Sequence, residues 1–170
     1  MRAGGGHSKG ASFEREVCKD LSLWLSAGDH DDLLWRSAMS GGRATVRFKK
    51  GRTSRSLAGD ISPISAGGEK LTDIFLLECK HYRDLQMIGL YMGLKSGVNL
   101  HWQETVEDAS RHEKWPLLIA KQNRLAPFVL LSRSGLLFLD LKKHALAHFP
   151  TLGVYVLWYS VFLEFAKRPT

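Results

Sequence analysis

The sequence predicts an α/β protein in which helices cover both faces of a central mixed β-sheet, a three-layer α/β/α sandwich. The run Ile74–Leu77 is apolar and lacks Gly and Pro, which is typical of a strand buried on both faces. Residues 12–26 repeat apolar side chains at helical spacing. A second helical pattern, His101–Lys114, is followed directly by another apolar run, Leu117–Ala120. This succession of helices and buried strands favours a sheet with helices packed against it.

Composition limits the class of protein. The 170 residues match one globular domain of ordinary size, residues 1–170, with 44% hydrophobic and 24% charged residues. Lys and Arg (24) exceed Asp and Glu (17), and the resulting charge of +7 favours a polyanionic partner, nucleic acid ahead of a membrane surface. The most hydrophobic window, residues 152–165, is about 14 residues long where a spanning helix needs roughly 20, so no membrane segment is predicted. Two cysteines, Cys18 and Cys79, indicate a reducing, cytoplasmic setting.

The N-terminal region predicts a flexible segment followed by a helix. Residues 1–11 are Gly-rich and lack the apolar core of a signal peptide. Ser12 is the predicted N-cap of a helix that ends near Ser26, with Gly28 closing it. The apolar face of this helix consists of Phe13, Val17, Leu21 and Trp24.

Two acids of this helix differ in position. At about 100° per residue, Glu14 projects inside the apolar face and Glu16 falls outside it. A carboxylate on the core side needs a partner or a function because its burial is costly. The alternative is that Glu14 lies in the first turn, where the helix dipole favours an acid and solvent reaches it.

A basic segment follows a predicted short strand, Leu33–Ser37. Residues 41–56 contain no acid between Arg43 and Arg55, and they are predicted to form a mobile loop that contacts phosphates. A solvated charged loop is the alternative interpretation. The cations of this segment are Arg43, Arg47, Lys49, Lys50, Arg52 and Arg55.

Near the centre of the chain, a hydrophobic strand is predicted to end in charged residues. A strand Leu57–Ser62, a turn at residues 67–70 and a strand Leu71–Lys80 are predicted. Alternation along the last strand places Glu78 and Lys80 on one face and Cys79 on the other. An antiparallel hairpin centred on Glu69 would set Asp60 opposite Glu78, whereas Asp73 would lie roughly 16 Å away on the opposite face of the same strand. Asp60 is therefore the predicted partner of Glu78.

The C-terminal half supplies further elements. Pro116 is expected to end the helix His101–Lys114, whose inward side chains are predicted to be Trp102, Val106 and Ala109. Strands are predicted at Phe128–Ser132 and Leu136–Leu141, while residues 154–165 fit a helix and a strand equally. Lys121 fits either a phosphate contact or a strand-edge lysine that opposes aggregation. A solvent-facing pair is favoured over a zinc site for His144 and His148.

These segments together resemble the PD-(D/E)xK nuclease superfamily, particularly the archaeal-type and phage Holliday-junction resolvases. The matching pieces are Lys9–Arg15 opening a helix, Trp35–Ser37 followed by Ser40 and Gly41, Gly59–Ile61 and Leu77–Lys80. Gly59 stands where the superfamily often has Pro, and Asp60 and Glu78 are further apart than in compact resolvases. The resemblance implies a restriction-endonuclease-like fold and hydrolysis of DNA phosphodiester bonds.

The resemblance also implies a set of roles. Asp60, Glu78 and the backbone carbonyl of Cys79 would bind Mg²⁺, with Mn²⁺ as a substitute, and Glu14 would join the metal shell through water. Lys80 would position or help to deprotonate the attacking water. The candidate DNA contacts are Lys9, Arg15, Arg36, Ser40, Lys121 and the six cations of residues 41–56.

The leading substrate is branched DNA such as a four-way junction, cut by a two-fold homodimer. A restriction-type or repair nuclease acting on linear duplex DNA is the enzymatic alternative. A basic DNA-binding module without catalysis is the other alternative. For Glu78 and Lys80 themselves the alternative is a simple salt bridge at the end of a sheet, which would not explain why Asp60 and Glu14 converge there.

Overall fold

A mixed β-sheet runs through the molecule and divides its core in two. A computed structural model describes residues 5–37, 58–94 and 97–170, the first four of them by backbone alone. The sheet has the strand order β3-β4-β5-β7-β6, in which β3 is parallel to β4 and the other neighbours are antiparallel. Its strands are β3 (Phe75–Tyr82), β4 (Trp115–Gln122), β5 (Phe128–Ser132), β6 (Ala147–Phe149) and β7 (Val154–Trp158).

A short antiparallel pair of strands and several helices surround this sheet. The pair comprises β1 (Leu34–Arg36) and β2 (Ile61–Pro63). The described helices are α1 (Gly5–Leu25), α2 (Ala66–Thr72), α3 (Ile88–Met92), α4 (Val98–Arg111), α5 (Arg133–Phe138) and α6 (Tyr159–Phe165), with 3-10 turns at Lys142–His144 and Pro150–Leu152.

Both faces of the sheet are covered, which confirms the predicted three-layer α/β architecture. Along β4, Leu117 and Ile119 join the core formed with α1, α5 and α6, and the alternate residues Leu118 and Ala120 join the core beneath α3 and α4. All four are fully buried. A strand with helices on both faces has no polar side, and this accounts for the unbroken apolar run in the sequence.

Helix α1 has the predicted apolar face but an earlier start. Phe13, Val17, Leu21 and Trp24 are all buried. The helix begins at Gly5, so the assignment of Ser12 as its N-cap was wrong. Its end was predicted correctly, since the Gly28 amide donates to the Leu23 carbonyl oxygen (2.8 Å) with φ at +101°, a value that favours glycine.

The predicted turn at residues 67–70 is helix α2, and the strand after it begins at Phe75 rather than Leu71. The glycines that indicated a turn serve close packing instead. A Cβ on Gly68 would lie 2.4 Å from the Leu33 carbonyl oxygen, so only glycine lets α2 approach the start of β1 this closely.

Three further predictions in the C-terminal half need correction. Leu136–Leu141 is not a strand, because residues 133–138 form α5 with Ser132 accepting a capping hydrogen bond from the Gly135 amide. Pro116 does not end α4: the helix ends at Arg111, and Pro116 is the second residue of β4. Val106 is 39% exposed, and Thr105 is the buried residue at that turn of α4.

Other predictions are confirmed or resolved. Leu33–Ser37 contains β1, and residues 154–165 divide into strand β7 and helix α6. Both cysteines are buried free thiols. No helix in the described ranges combines the length and the apolar content that crossing a bilayer requires. The basic segment 41–56 lies outside the described residues, together with Ser40 and the six cations assigned to DNA contact.

Candidate active site

Three charged side chains meet where β3 leaves the hydrophobic core. The Lys80 Nζ lies 2.7 Å from Glu78 Oε2 and 3.5 Å from Asp60 Oδ2. The three side chains are only 12–23% exposed. Two carboxylates therefore face one ammonium group in surroundings that exclude most water, where such interactions are stronger than at a surface.

The backbone contacts that hold Asp60 in this position differ from those predicted from the sequence. The Asp60 amide donates to the Leu77 carbonyl oxygen (2.8 Å), and Asp60 Oδ2 accepts from the Cys79 amide (3.0 Å). The bridge beside it, between Gly59 and Leu77, is parallel. The predicted antiparallel hairpin was therefore wrong, although Asp60 does lie beside Glu78. Asp73 caps the end of α2 and is not part of β3.

Gly59 is required for this contact. Its φ is +89°, and a Cβ there would lie 2.6 Å from the Leu77 carbonyl oxygen. We expect Gly59→Ala to destabilise the fold by about 1–3 kcal/mol and to move Asp60 away from Lys80. Urea unfolding would measure the loss of stability, with Gly153→Ala as control, because Gly153 has φ of +59° but no neighbour within 4 Å of the added Cβ. Equal losses in the two variants would contradict a role for close approach.

The electrostatics of the three groups are coupled. Burial and, after it, the charge of the Asp60 carboxylate raise the pKa of the Glu78 carboxyl to about 8, although Lys80 opposes the change. Burial alone would lower the pKa of the Lys80 ammonium. The Glu78 and Asp60 carboxylates more than offset this, so the pKa of Lys80 lies above its ordinary value. Repulsion between the two acids thus opposes the ionisation of both at once, and the Lys80 ammonium favours it.

This donor set fits a divalent cation. Asp60 and Glu78 already share one positive charge, and carboxylate oxygens are the ligands that Mg²⁺ prefers. The carbonyl of Cys79 follows Glu78 on the same strand. Within the described ranges, however, no three Asp, Glu, His or Cys side chains are grouped closely enough to hold a metal ion. A cation here would rest on two side-chain carboxylates and on ligands from the backbone or water.

Glu14 has a different partner. Its carboxylate, 13% exposed, accepts from Arg36 Nε of β1, while Glu16 of the same helix is 54% exposed. The expected inward direction of Glu14 is therefore observed, and Arg36 provides the counter-charge that burial demands. The structure brings Asp60, Glu78 and Lys80 together, whereas the Glu14 carboxylate pairs with Arg36. That Glu14 also joins the metal shell stays a prediction.

The other candidate DNA contacts occupy varied positions. Lys9 and Arg15 are exposed on α1. Lys121 lies 3.4 Å from Glu16 Oε2, with its Nζ 5.5 Å from the centre of the Phe13 ring. The two histidines considered for a zinc site stack on different aromatic rings: His144 on Phe165 and His148 on Tyr155.

A cleft of about 300 Å³ opens beside the charged cluster, with β3 on one side and α4 on the other. Glu78 and Lys80 line it from the strand, and the helix lines it from His101 to Arg111. This helix face is not among the site residues predicted from the sequence. The sequence signal that could have indicated it is the spacing of His101 and Glu104, because residues three apart on a helix lie on the same face.

The family assignment follows from comparison with known proteins. A family model described as "Phage putative PDDEXK endonuclease" matches residues 5–155, most of the chain and all of the cluster described above. Searches among curated proteins and among solved structures gave no match. The chain is a member of the phage PDDEXK endonuclease family, a family of nucleases within the PD-(D/E)xK superfamily.

Proposed function

We propose that the protein is a Mg²⁺-dependent DNA endonuclease, with Mn²⁺ able to replace Mg²⁺. The observation that carries the proposal is the pair of largely buried carboxylates, Asp60 and Glu78, joined by the Lys80 ammonium at the end of β3. Paired acids with a lysine two residues beyond the second acid form the pattern after which the family is named.

Each residue has a part in the proposed reaction. Asp60, Glu78 and the Cys79 carbonyl would hold the cation, which supplies Lewis-acid activation of the phosphate and of a water molecule when bound. Lys80 is close enough to both carboxylates to keep its ammonium group directed at the same site, where it orients the attacking water. Hydrolysis would leave 5′-phosphate and 3′-hydroxyl ends.

Branched DNA, such as a four-way junction, is the proposed substrate, and a two-fold homodimer in the cytoplasm is the proposed working form. The charge of +7 and the exposed cations Lys9 and Arg15 on α1 support a nucleic-acid partner. Symmetric incision of a junction needs two sites related by a two-fold axis, which a homodimer provides.

The experiment compares a synthetic four-way junction with its matched linear duplex. Wild-type protein is expected to cut the junction in Mg²⁺ or Mn²⁺ and to give no product in EDTA. Asp60→Asn should bind the junction but not cut it, because it loses one carboxylate charge at the cation site while keeping its shape.

The result also separates the alternatives. A preference for the linear duplex would replace the junction with a restriction-type or repair substrate. Binding without product in any divalent cation would indicate a DNA-binding module and would refute the enzyme. Equal cleavage by wild type and Asp60→Asn would remove Asp60 from the site.

A further inference from the structure

The cleft beside Lys80 has a second wall that the proposed mechanism does not use. Glu78 and Lys80 of β3 form one side of the cleft, and His101, Glu104 and Thr105 belong to the other side, on α4. The His101 side chain is only 18% exposed, although it lies in the first turns of a helix whose outer face is polar. A partly buried imidazole in the same cleft as Glu78 and Lys80 is a candidate for proton transfer.

The imidazole of His101 is fixed from two directions. One face stacks on the Tyr82 ring, with 5.0 Å between ring centres and 10° between planes. Tyr82 is two residues beyond Lys80 on β3, so the two side chains share a face of the strand. The ring edge is held by Glu104, whose Oε2 lies 3.2 Å from His101 Nδ1. These contacts place the ring beside β3, the strand that carries Lys80.

The Glu104 contact also determines the tautomer. An ionised carboxylate only accepts hydrogen bonds, so Nδ1 must carry the proton that points to Glu104. In the neutral ring the lone pair is then on Nε2. A base whose second nitrogen is held by a carboxylate has the arrangement that general-base catalysis uses.

The remaining acids of this wall are engaged by Arg111. Its guanidinium lies 2.5 Å from Asp108 Oδ1 and 3.6 Å from Glu107 Oε2. The contact between His101 and Glu104 is thus separate from the Arg111 cluster at the far end of the cleft. His101 is the imidazole of this helix face, and it lines the same cleft as Lys80.

We propose that His101 is the general base of the nuclease and that Glu104 is its positioning residue. The inference rests on the proposed function. Water, oriented by Lys80 from the opposite wall, forms the new bond to phosphorus while its proton moves to His101 Nε2. The bond from phosphorus to the 3′-oxygen breaks, and that oxygen takes a proton from solvent. The imidazolium then returns its proton to solvent.

The test replaces the ring nitrogens and keeps the ring. His101→Phe retains an aromatic ring for the stack on Tyr82 and is expected to lower kcat about 100-fold, with KM changed less than about threefold. The matched control is His148→Phe, because His148 also stacks on a tyrosine, Tyr155, at 4.0 Å and 8° on edge strand β6. The control should keep the wild-type kcat.

Two further variants separate chemistry from packing. His101→Gly should lose a similar factor in kcat, and added imidazole should restore part of it, which a purely structural role would not allow. Glu104→Ala is expected to lower kcat about 5- to 10-fold, and Glu104→Gln less, because the Gln side chain keeps an oxygen acceptor for Nδ1.

The outcomes also separate this inference from the proposed function. If wild type cuts DNA and His101→Phe cuts with the same kcat, the general-base assignment is overturned and the nuclease remains. If imidazole does not rescue His101→Gly, the assignment is overturned as well. If wild type gives no product in any divalent cation, the proposed function is refuted, and the general-base role of His101 is refuted with it.

Discussion

Lys80→Ala is expected to reduce Mg²⁺-dependent DNA cleavage about 1,000-fold or more. The Lys80 ammonium lies 2.7 Å from Glu78 Oε2 and 3.5 Å from Asp60 Oδ2, so its loss removes both the group that orients water and the charge that holds the carboxylates together. DNA binding should change little, because the remaining cations of the chain supply the attraction to phosphate.

A matched lysine controls for the change in net charge. Lys143 is exposed on the 3-10 turn after α5, and Lys143→Ala should retain wild-type cleavage. The measurement is single-turnover cleavage at saturating protein, which separates the chemical step from binding. A loss of less than tenfold in Lys80→Ala would show that the ammonium group only forms a structural ion pair with Glu78.

The sequence was sufficient to predict a helix or a strand wherever an apolar pattern repeated along that one element. The apolar face of α1 and the buried runs in β3, β4 and β5 follow directly from the burial of strands and helices in the sheet. The choice of Asp60 over Asp73 was also correct in outcome, since Asp60 lies beside Glu78 and Lys80. The contact is made through a parallel bridge between Gly59 and Leu77 and not through the predicted antiparallel hairpin.

The sequence was insufficient where tertiary contact decided the local structure. Gly67 and Gly68 resemble a turn in sequence, but they pack α2 against Leu33, and a helix thereby replaces the expected turn. The apolar run after Ser132 is amphipathic in three dimensions, with Leu136 and Leu139 buried and Leu137 exposed, which local alternation did not distinguish from a strand.

Contacts between distant segments account for the rest of the difference at the site. Arg36 and Glu14 are 22 positions apart, and no local pattern indicates that they form an ion pair. The stack of His101 on Tyr82 likewise joins α4 to β3 across the intervening α3. Such pairs depend on the packing of helices against the sheet, which follows from the whole fold rather than from one stretch of sequence.

The stability of the metal-free protein is expected to fall as the pH rises from about 5 to about 8. Burial and the Asp60 carboxylate raise the pKa of Glu78 from 4.5 to about 8. Between these values the folded state holds a proton that the unfolded state releases, so each step upward in pH favours unfolding. The pKa of Lys80 also lies above its ordinary value, but its contribution is fully present throughout this range and is lost only at higher pH. The expected loss is on the order of a few kcal/mol.

Glu78→Gln identifies the group responsible, because a neutral amide has no proton to lose in this range. Urea unfolding in EDTA should give a steep decline with pH for wild type and a nearly flat dependence for Glu78→Gln. At pH 8 the addition of Mg²⁺ should raise the stability of wild type, since a cation held by Asp60 and Glu78 would relieve the same repulsion that the proton relieves at lower pH. The variant, with one carboxylate charge fewer, should gain less. Parallel pH profiles for the two proteins would mean that Glu78 is ionised in the folded protein throughout, and that Lys80 alone balances both carboxylates.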